Sequence, residues 1–302
     1  TNITIPNSVT GIGSSAFSGC SSLTNITIPN SVTGIGWNAF SGCSSLTNIT
    51  IPNIKFEIFD NRNNSFSTIK YIKILEGNNE IFENAYKGCK SIINITIPKN
   101  ISKICYSAFS GCSSLRNITI PSSVTEIGSF AFSECSSLTN IIILNSVTKI
   151  GNYAFEKCTS LTNITIPDSV IEIEESCFRE CSSLKAITFS NNIKEIGESA
   201  FRGCTSLKNI KIPNAVTKIG ESAFSECTLL TSITIPNSVL EIGDNAFSFC
   251  SSLTDVTILN SVTEIGDYAF LGCSSLTNVM IPIHYQNIQY IFPENCKIIV
   301  NE

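Results

Sequence analysis

Residues 23–45 read LTNITIPNSVTGIGWNAFSGCSS, and variants of this 23-residue stretch follow one another along the whole 302-residue chain. Cysteines mark the register, because successive members of one series lie 23 residues apart except for a single interval of 46, in which Phe66 holds the place. The series is Cys20, Cys43, Cys89, Cys112, Cys135, Cys158, Cys181, Cys204, Cys227, Cys250, Cys273 and Cys296. Such a period predicts a solenoid of thirteen coils that stack into one continuous core.

One unit predicts its own local structure. Leu23, Ile26 and Ile28 alternate with polar residues, which is typical of a short strand buried on one face. Pro29 cannot donate a further ladder hydrogen bond, so the strand is expected to stop there. A second short extended piece follows, and the AFxxC spacing predicts one helical turn over the core.

Composition bounds the function. Only 14% of the residues are charged and the net charge is −5, which argues against disorder and against nucleic-acid binding. No apolar run approaches the roughly 18 residues that span a bilayer. The chain starts inside a repeat without signal-peptide features, so we expect a fragment or a mature segment.

The cysteine pattern favours buried, free thiols. One cysteine per unit at one phase is how a small core side chain behaves in a stack. Disulfides between neighbouring coils are the alternative, but side chains that point in parallel have poor bridging geometry. Cys105 and Cys177 lie outside the series, and the absence of short CxxC pairs argues against a metal site.

The repeat consensus LxxIxIPxSVTxIGxxAFxGCSS resembles that of the BspA-like, or Treponema pallidum-type, leucine-rich repeats over nearly the whole chain. The resemblance implies a curved solenoid with parallel strands on the concave face and short helical turns and extended segments on the other faces. It further implies a cell-surface or secreted protein associated with adhesion, with no enzyme activity, no cofactor and no fixed set of binding residues. A right-handed β-helix is the competing fold, against which the AFxxC turn argues.

We expect one domain, 1–302, with repeats over 1–275 and an atypical last repeat or C-terminal cap over 276–302. Within it, residues 53–91 are degenerate but keep the repeat length. This stretch is either a remodelled binding patch that includes Phe56, Phe59 and Tyr71, or sequence drift compensated inside the core.

Carboxylates recur at one phase of successive units, and we call this row the acidic ridge: Glu175, Glu198, Glu221, Asp244 and Asp267. A second row lies three residues earlier: Glu172, Glu195, Glu241 and Glu264. The ridge could attract Ca²⁺ or a basic partner, or it is a solvated face that keeps the solenoid soluble. Trp37 shares the phase of the ridge and is expected to be a surface aromatic.

The outward residues of the strands, which we call the strand face, are mostly Asn and Thr, and many of the asparagines belong to NxT sequons. These rows either hydrogen-bond along the stack or present a wide surface for a ligand. Specificity is expected mainly where the rows are broken by other residues, and the cluster of Lys185, Lys208 and Lys211 is the first choice. The candidate binding residues are Lys70, Tyr71, Lys73, Arg116, Asn117, Asn140, Asn163, Lys185, Lys208 and Lys211.

Catalysis has little support. His284 is the only histidine and lies in the atypical last unit, and no nucleophile, phosphate-loop or zinc-protease motif is present. The sequence therefore predicts a monomeric, non-enzymatic binding or adhesion module for a protein or glycan ligand, such as extracellular matrix or a host-cell surface. A structural spacer that projects other domains is the alternative, and an enzyme with a carboxylate site ranks below both.

Overall fold

A computed structural model describes residues 2–53, 67–285, 288 and 291–301. Each fully described coil contains a first strand of three or four residues, a second strand of two residues and a segment of turns. Thirteen first strands start every 23 residues, from Asn2–Thr4 to Asn278–Pro282, and so bound twelve full turns, one fewer than the number of units in the sequence. The predicted solenoid of parallel strands is confirmed. Phe56, Phe59 and Phe66 lie outside the described residues.

The first strands pair in parallel and in register, Ile to Ile, for example Ile118 with Ile141. They are Asn2–Thr4, Asn25–Thr27, Asn48–Ile51, Tyr71–Ile74, Asn94–Thr96, Asn117–Thr119, Asn140–Ile142, Asn163–Thr165, Ala186–Thr188, Asn209–Lys211, Ser232–Thr234, Asp255–Thr257 and Asn278–Pro282. A last strand, Lys297–Asn301, pairs with Asn278–Pro282 after the short 3-10 helix Ile283–Tyr285. The coil that begins at Tyr71 stays in register, so the degenerate stretch continues the stack where it is described.

The second strands form a separate set of parallel sheets. They are Gly11–Ile12, Gly34–Ile35, Glu80–Ile81, Lys103–Ile104, Glu126–Ile127, Lys149–Ile150, Glu172–Ile173, Glu195–Ile196, Lys218–Ile219, Glu241–Ile242 and Glu264–Ile265. A column of glycines follows them where coils come close. A Cβ on Gly220, for example, would lie 2.7 Å from the backbone nitrogen of Glu198 in the preceding coil. A side chain at this position would therefore displace the backbone of that coil.

The segment predicted as a helical turn is a series of tight turns. Ser41 and Cys43 donate their amides to the carbonyls three residues earlier, whereas Asn38 and Gly42 have left-handed φ angles of 54° and 72°. Other backbone amides of this segment donate to carbonyls of the next coil, as from Phe17 N to Ala39 O at 2.8 Å. An α-helix needs right-handed φ at every residue and keeps its amides within itself. The described residues accordingly contain no α-helix.

Phenylalanine and cysteine hold neighbouring coils together in the core. The rings of Phe155, Phe178 and Phe201 stack with 5.4 Å between centroids and are fully buried. Buried thiols of the 23-residue series donate to a carbonyl 26 residues earlier, as from Cys204 Sγ to Phe178 O at 3.2 Å. The accepting carbonyl belongs to a phenylalanine for Cys43 and for the series from Cys135 to Cys273, and to Tyr86 for Cys112. Cysteine thus serves both as an apolar filler and as a hydrogen-bond donor to an otherwise buried carbonyl.

The cysteines are free thiols in this structure. Burial raises the pKa of Cys112, Cys181 and Cys273 from the ordinary value of 9.0 to about 12. Cys177, in the position usually taken by alanine, is also fully buried, and burial raises its pKa. Because the thiolate is the reactive form, these groups are chemically quiet at neutral pH.

We predict that Cys204→Ala lowers the free energy of unfolding by about 1–3 kcal/mol, because it leaves a small cavity and removes the thiol's hydrogen bond to Phe178 O. Urea denaturation followed by circular dichroism measures the loss. Asn214→Ala, on the exposed turn of the next coil, is the control and should stay within about 0.5 kcal/mol of the parent. Equal losses in the two variants would show that the thiol-to-carbonyl contact contributes nothing.

Cys112 also predicts a pH dependence. Below pH 9.0 the thiol is protonated in both states, whereas between pH 9.0 and about 12 only the unfolded chain releases its proton. Stability is therefore fully present at neutral pH and is lost as the pH rises, by about 1.4 kcal/mol per pH unit per thiol in this window. The gap in unfolding free energy between the parent and Cys112→Ala, measured with reductant present, should narrow from pH 7 to pH 10. A constant gap would refute the assignment.

Candidate binding surface

The strand face is built by three of four consecutive residues in each coil. In Asn117–Thr119 the isoleucine is buried and both neighbours are exposed, as alternation in a strand requires. The residue before the strand shares this face, because the amides of Asn25, Asn48 and Asn163 donate to the hydroxyl of the preceding threonine at 3.0, 3.0 and 3.1 Å. Three columns of side chains therefore run along the stack.

The structure places the predicted binding residues on this surface, and all ten are exposed. They are Lys70, Tyr71, Lys73, Arg116, Asn117, Asn140, Asn163, Lys185, Lys208 and Lys211. Tyr71 and Lys73 lie on one strand, between the Asn and Thr rows of the two neighbouring coils. Lys185 and Lys208 occupy the same position in adjacent coils, and Lys211 lies at the other end of the strand that follows Lys208.

The basic residues replace threonines that join the coils. At three of the positions before a strand, a threonine hydroxyl donates to the carbonyl at the same position of the preceding coil. These bonds run from Thr139 to Arg116 at 3.4 Å, from Thr231 to Lys208 at 3.3 Å and from Thr254 to Thr231 at 3.2 Å. A lysine side chain has no equivalent short hydroxyl. Lys185 and Lys208 therefore give up two bonds between coils and place like charges side by side, which destabilises a sheet.

The hydrogen-bonded ladder of first strands is interrupted at two places. The breaks lie between Asn140–Ile142 and Asn163–Thr165 and between Ala186–Thr188 and Asn209–Lys211. Lys185 and Lys208 flank the second break. Backbone bonds between coils continue on either side of it, from Lys185 N to Thr162 O and from Thr231 N to Lys208 O. One of the two breaks therefore lies beside Lys185 and Lys208, whereas the other lies between coils that have Thr139 and Thr162 at the same position.

The acidic ridge lies on a different side, next to the second strands. Glu198, Glu221 and Asp244 line a groove of about 440 Å³ with Glu195, Glu241 and Glu264, and its one basic residue, Lys218, pairs with Glu241 at 2.8 Å. Two carboxylates of the ridge accept hydrogen bonds from neighbouring coils. Tyr153 OH donates to Glu175, and Asp267 N donates to Asp244 Oδ1 at 2.8 Å.

Within the described ranges, no group of three or more His, Cys, Asp or Glu side chains is arranged to hold a metal ion. His284 is exposed in the short 3-10 helix, and its Nε2 lies 3.1 Å from Val262 O, a contact that docks the last unit onto the preceding coil. Trp37 is 56% exposed, as predicted for a surface aromatic. No helix in the part of the chain that the structure describes is long and apolar enough to cross a bilayer.

An aromatic cluster was not anticipated from the sequence. Phe130 and Tyr153 stack at 4.6 Å, and Tyr106 packs edge-on against Phe130 at 5.6 Å. Phe130 and Tyr153 both have φ of 57°, where most other coils have Ser or Asn at that position. Bulky residues are rare in this conformation. The sequence signal for this cluster was the presence of aromatic residues, Tyr106, Phe130 and Tyr153, at neighbouring positions of three consecutive repeats.

A family model, the BspA type leucine rich repeat region, matches the chain with six copies over residues 1–115, 79–207 and 171–300. Among solved structures, a leucine-rich repeat protein from Bacteroides ovatus is 30% identical, with 100% of this chain and 92% of that chain covered and a TM-score of 0.68. One from Eubacterium ventriosum is 22% identical, with 91% and 83% covered and a TM-score of 0.54.

The pneumococcal vaccine antigen PcpA shares the fold at 20% identity, with 100% of this chain and 78% of that chain covered and a TM-score of 0.50. No curated protein sequence matches this chain. The family match extends over nearly all of the 302 residues and agrees with the in-register stack of short parallel strands. The chain belongs to the BspA-type leucine-rich repeat family.

Proposed function

We propose that this chain is a non-enzymatic binding module of a cell-surface or secreted protein, and that it takes a protein or glycan ligand on the strand face. We further propose that it is a monomer with one solenoid domain, 1–302, in which 53–91 is degenerate and 276–302 forms the C-terminal cap. Membership of a repeat family whose members typically act as interaction modules supports this reading.

The observation that carries the proposal is the lysine cluster of Lys185, Lys208 and Lys211. All three side chains are exposed. Lys185 and Lys208 stand at the position where Thr231 and Thr254 bond to the preceding coil, and they flank an interruption of the sheet. A solenoid selected only for stability would keep threonine there, as in the coils of Thr231 and Thr254. A contact with a ligand gives a reason for the exception.

Arg116, Asn117, Asn140 and Asn163 support a wider footprint. They lie on three consecutive coils of the same face, between the lysine cluster and Lys70, Tyr71 and Lys73. Rows of amides and hydroxyls on a rigid sheet offer donors and acceptors in fixed positions, which reduces the entropy that binding costs.

We predict that the purified chain binds saturably to at least one member of a panel of extracellular-matrix proteins and cell surfaces. The variant Lys185→Glu, Lys208→Glu, Lys211→Glu should weaken that binding about tenfold or more, because three attractive charges become repulsive at the contact. Surface-immobilised binding assays measure the effect, and an unchanged unfolding midpoint confirms the fold.

The matched control is Lys99→Glu, Lys149→Glu, Lys194→Glu. It changes the net charge by the same amount at three exposed lysines outside the strand face, so it should retain binding within about twofold. Absence of saturable binding by the parent to any surface tested would favour a spacer. An equal loss in both variants would place the ligand elsewhere on the solenoid.

A further inference from the structure

Charge is segregated between the faces of the solenoid. In the part of the chain that the structure describes, the three columns of the strand face hold one acidic residue, Asp255, although the whole chain has a net charge of −5. Their basic residues are Lys70, Lys73, Arg116, Lys185, Lys208, Lys211 and Lys297. The strand face is therefore a basic surface on an acidic protein.

The opposite sign collects beside the second strands. Two of the lysines there are paired across coils, Lys103 with Glu126 at 3.0 Å and Lys218 with Glu241 at 2.8 Å, and Lys149 lies beside Glu126 in the sheet. The basic residues of the strand face have no such pairs, since none of the ion pairs among the described residues involves them. Their charge is left unneutralised and faces solvent, which attracts anions.

The basic residues are spread along the axis of the stack. Lys70 and Lys73 lie six coils before Lys208 and Lys211, which is about 29 Å at about 4.8 Å per coil. Arg116 lies two coils after Lys70, and Lys185 one coil before Lys208. A ligand that contacts both ends must be elongated and must run across the strands.

The face lacks the features of a tight protein–protein interface. Cores of such interfaces are enriched in aromatic residues and Arg and depleted of Lys, and a few buried anchors provide most of the affinity. Here the charges are mainly lysines, and the large exposed apolar residues, Tyr71, Ile142 and Ile299, are far apart in sequence and in the stack. Between them run Asn and Thr rows that can bond to hydroxyl and anionic groups.

Resting on the proposed function, we propose that the ligand of the strand face is an anionic polysaccharide that lies along the stack. The lysines and Arg116 contact its sulfate or carboxylate groups, while the Asn and Thr rows bond to its hydroxyls. Several weak contacts on one long chain then add through effective concentration, without an apolar pocket.

The test uses heparin oligosaccharides of two lengths, one shorter than the distance between the two lysine clusters and one longer. Isothermal titration of the 302-residue chain should show saturable binding of the long form, with affinity about tenfold or more above that of the short form. Affinity should fall as salt rises from 50 to 200 mM, as polyanion contacts do. A carboxylated, unsulfated polysaccharide identifies which anion is preferred.

The variant Lys185→Glu, Lys208→Glu, Lys211→Glu should weaken heparin binding about tenfold or more, and the control Lys99→Glu, Lys149→Glu, Lys194→Glu about twofold or less. Equal weakening would overturn the inference, since binding would then follow net charge. Tighter binding of a poly-glutamate peptide or of single-stranded DNA would overturn it by assigning another class of partner.

The outcome is separable from that of the proposed function. Lysine-dependent binding of a matrix protein together with no binding of any polysaccharide leaves the binding module standing and overturns the anionic glycan. Absence of saturable binding to proteins, cells and polysaccharides overturns both.

Discussion

From the coil of Cys112 to that of Cys273, neighbouring coils are joined by an aromatic ring that stacks on the ring of the next coil and by a buried thiol that donates to a carbonyl 26 residues earlier. The pair repeats at Phe178 with Cys204 and at Phe201 with Cys227, where the thiol-to-carbonyl distances are 3.2 and 3.3 Å. A single coil would leave the ring exposed and the thiol without this hydrogen bond. Stability is therefore shared between neighbours, as in other solenoids.

This dependence explains which positions vary. The inward columns change little, because they pack against the equivalent side chains of the neighbouring coils. Most coils have glycine after the second strand, where a Cβ on Gly220 or Gly243 would meet the backbone of the preceding coil. Outward positions are free of this constraint. Lysine, arginine and tyrosine accordingly interrupt the Asn and Thr rows without disturbing the register of the strands. A constant interior supports a surface whose chemistry can differ from coil to coil.

The exceptions on the strand face have an energetic cost. Threonine bonds between coils are lost where lysine stands, like charges lie in adjacent coils, and the ladder is interrupted beside them. Elsewhere in the same molecule lysines are paired with glutamates in neighbouring coils. The basic residues of the strand face have no ion pair among the described residues, so their charge is left to attract anions.

Periodicity in the sequence determined the coil length, the parallel stack, the inward columns and the exposed positions of Lys185, Lys208 and Lys211. Local contacts repeat with the sequence, so the period suffices to assign them. The tertiary structure decided that the AFxxC segment forms turns with left-handed residues, that thiols such as those of Cys181 and Cys204 bond to a carbonyl 26 residues earlier, and which charges are paired. These features depend on the distance and angle between neighbouring coils, which no single unit contains.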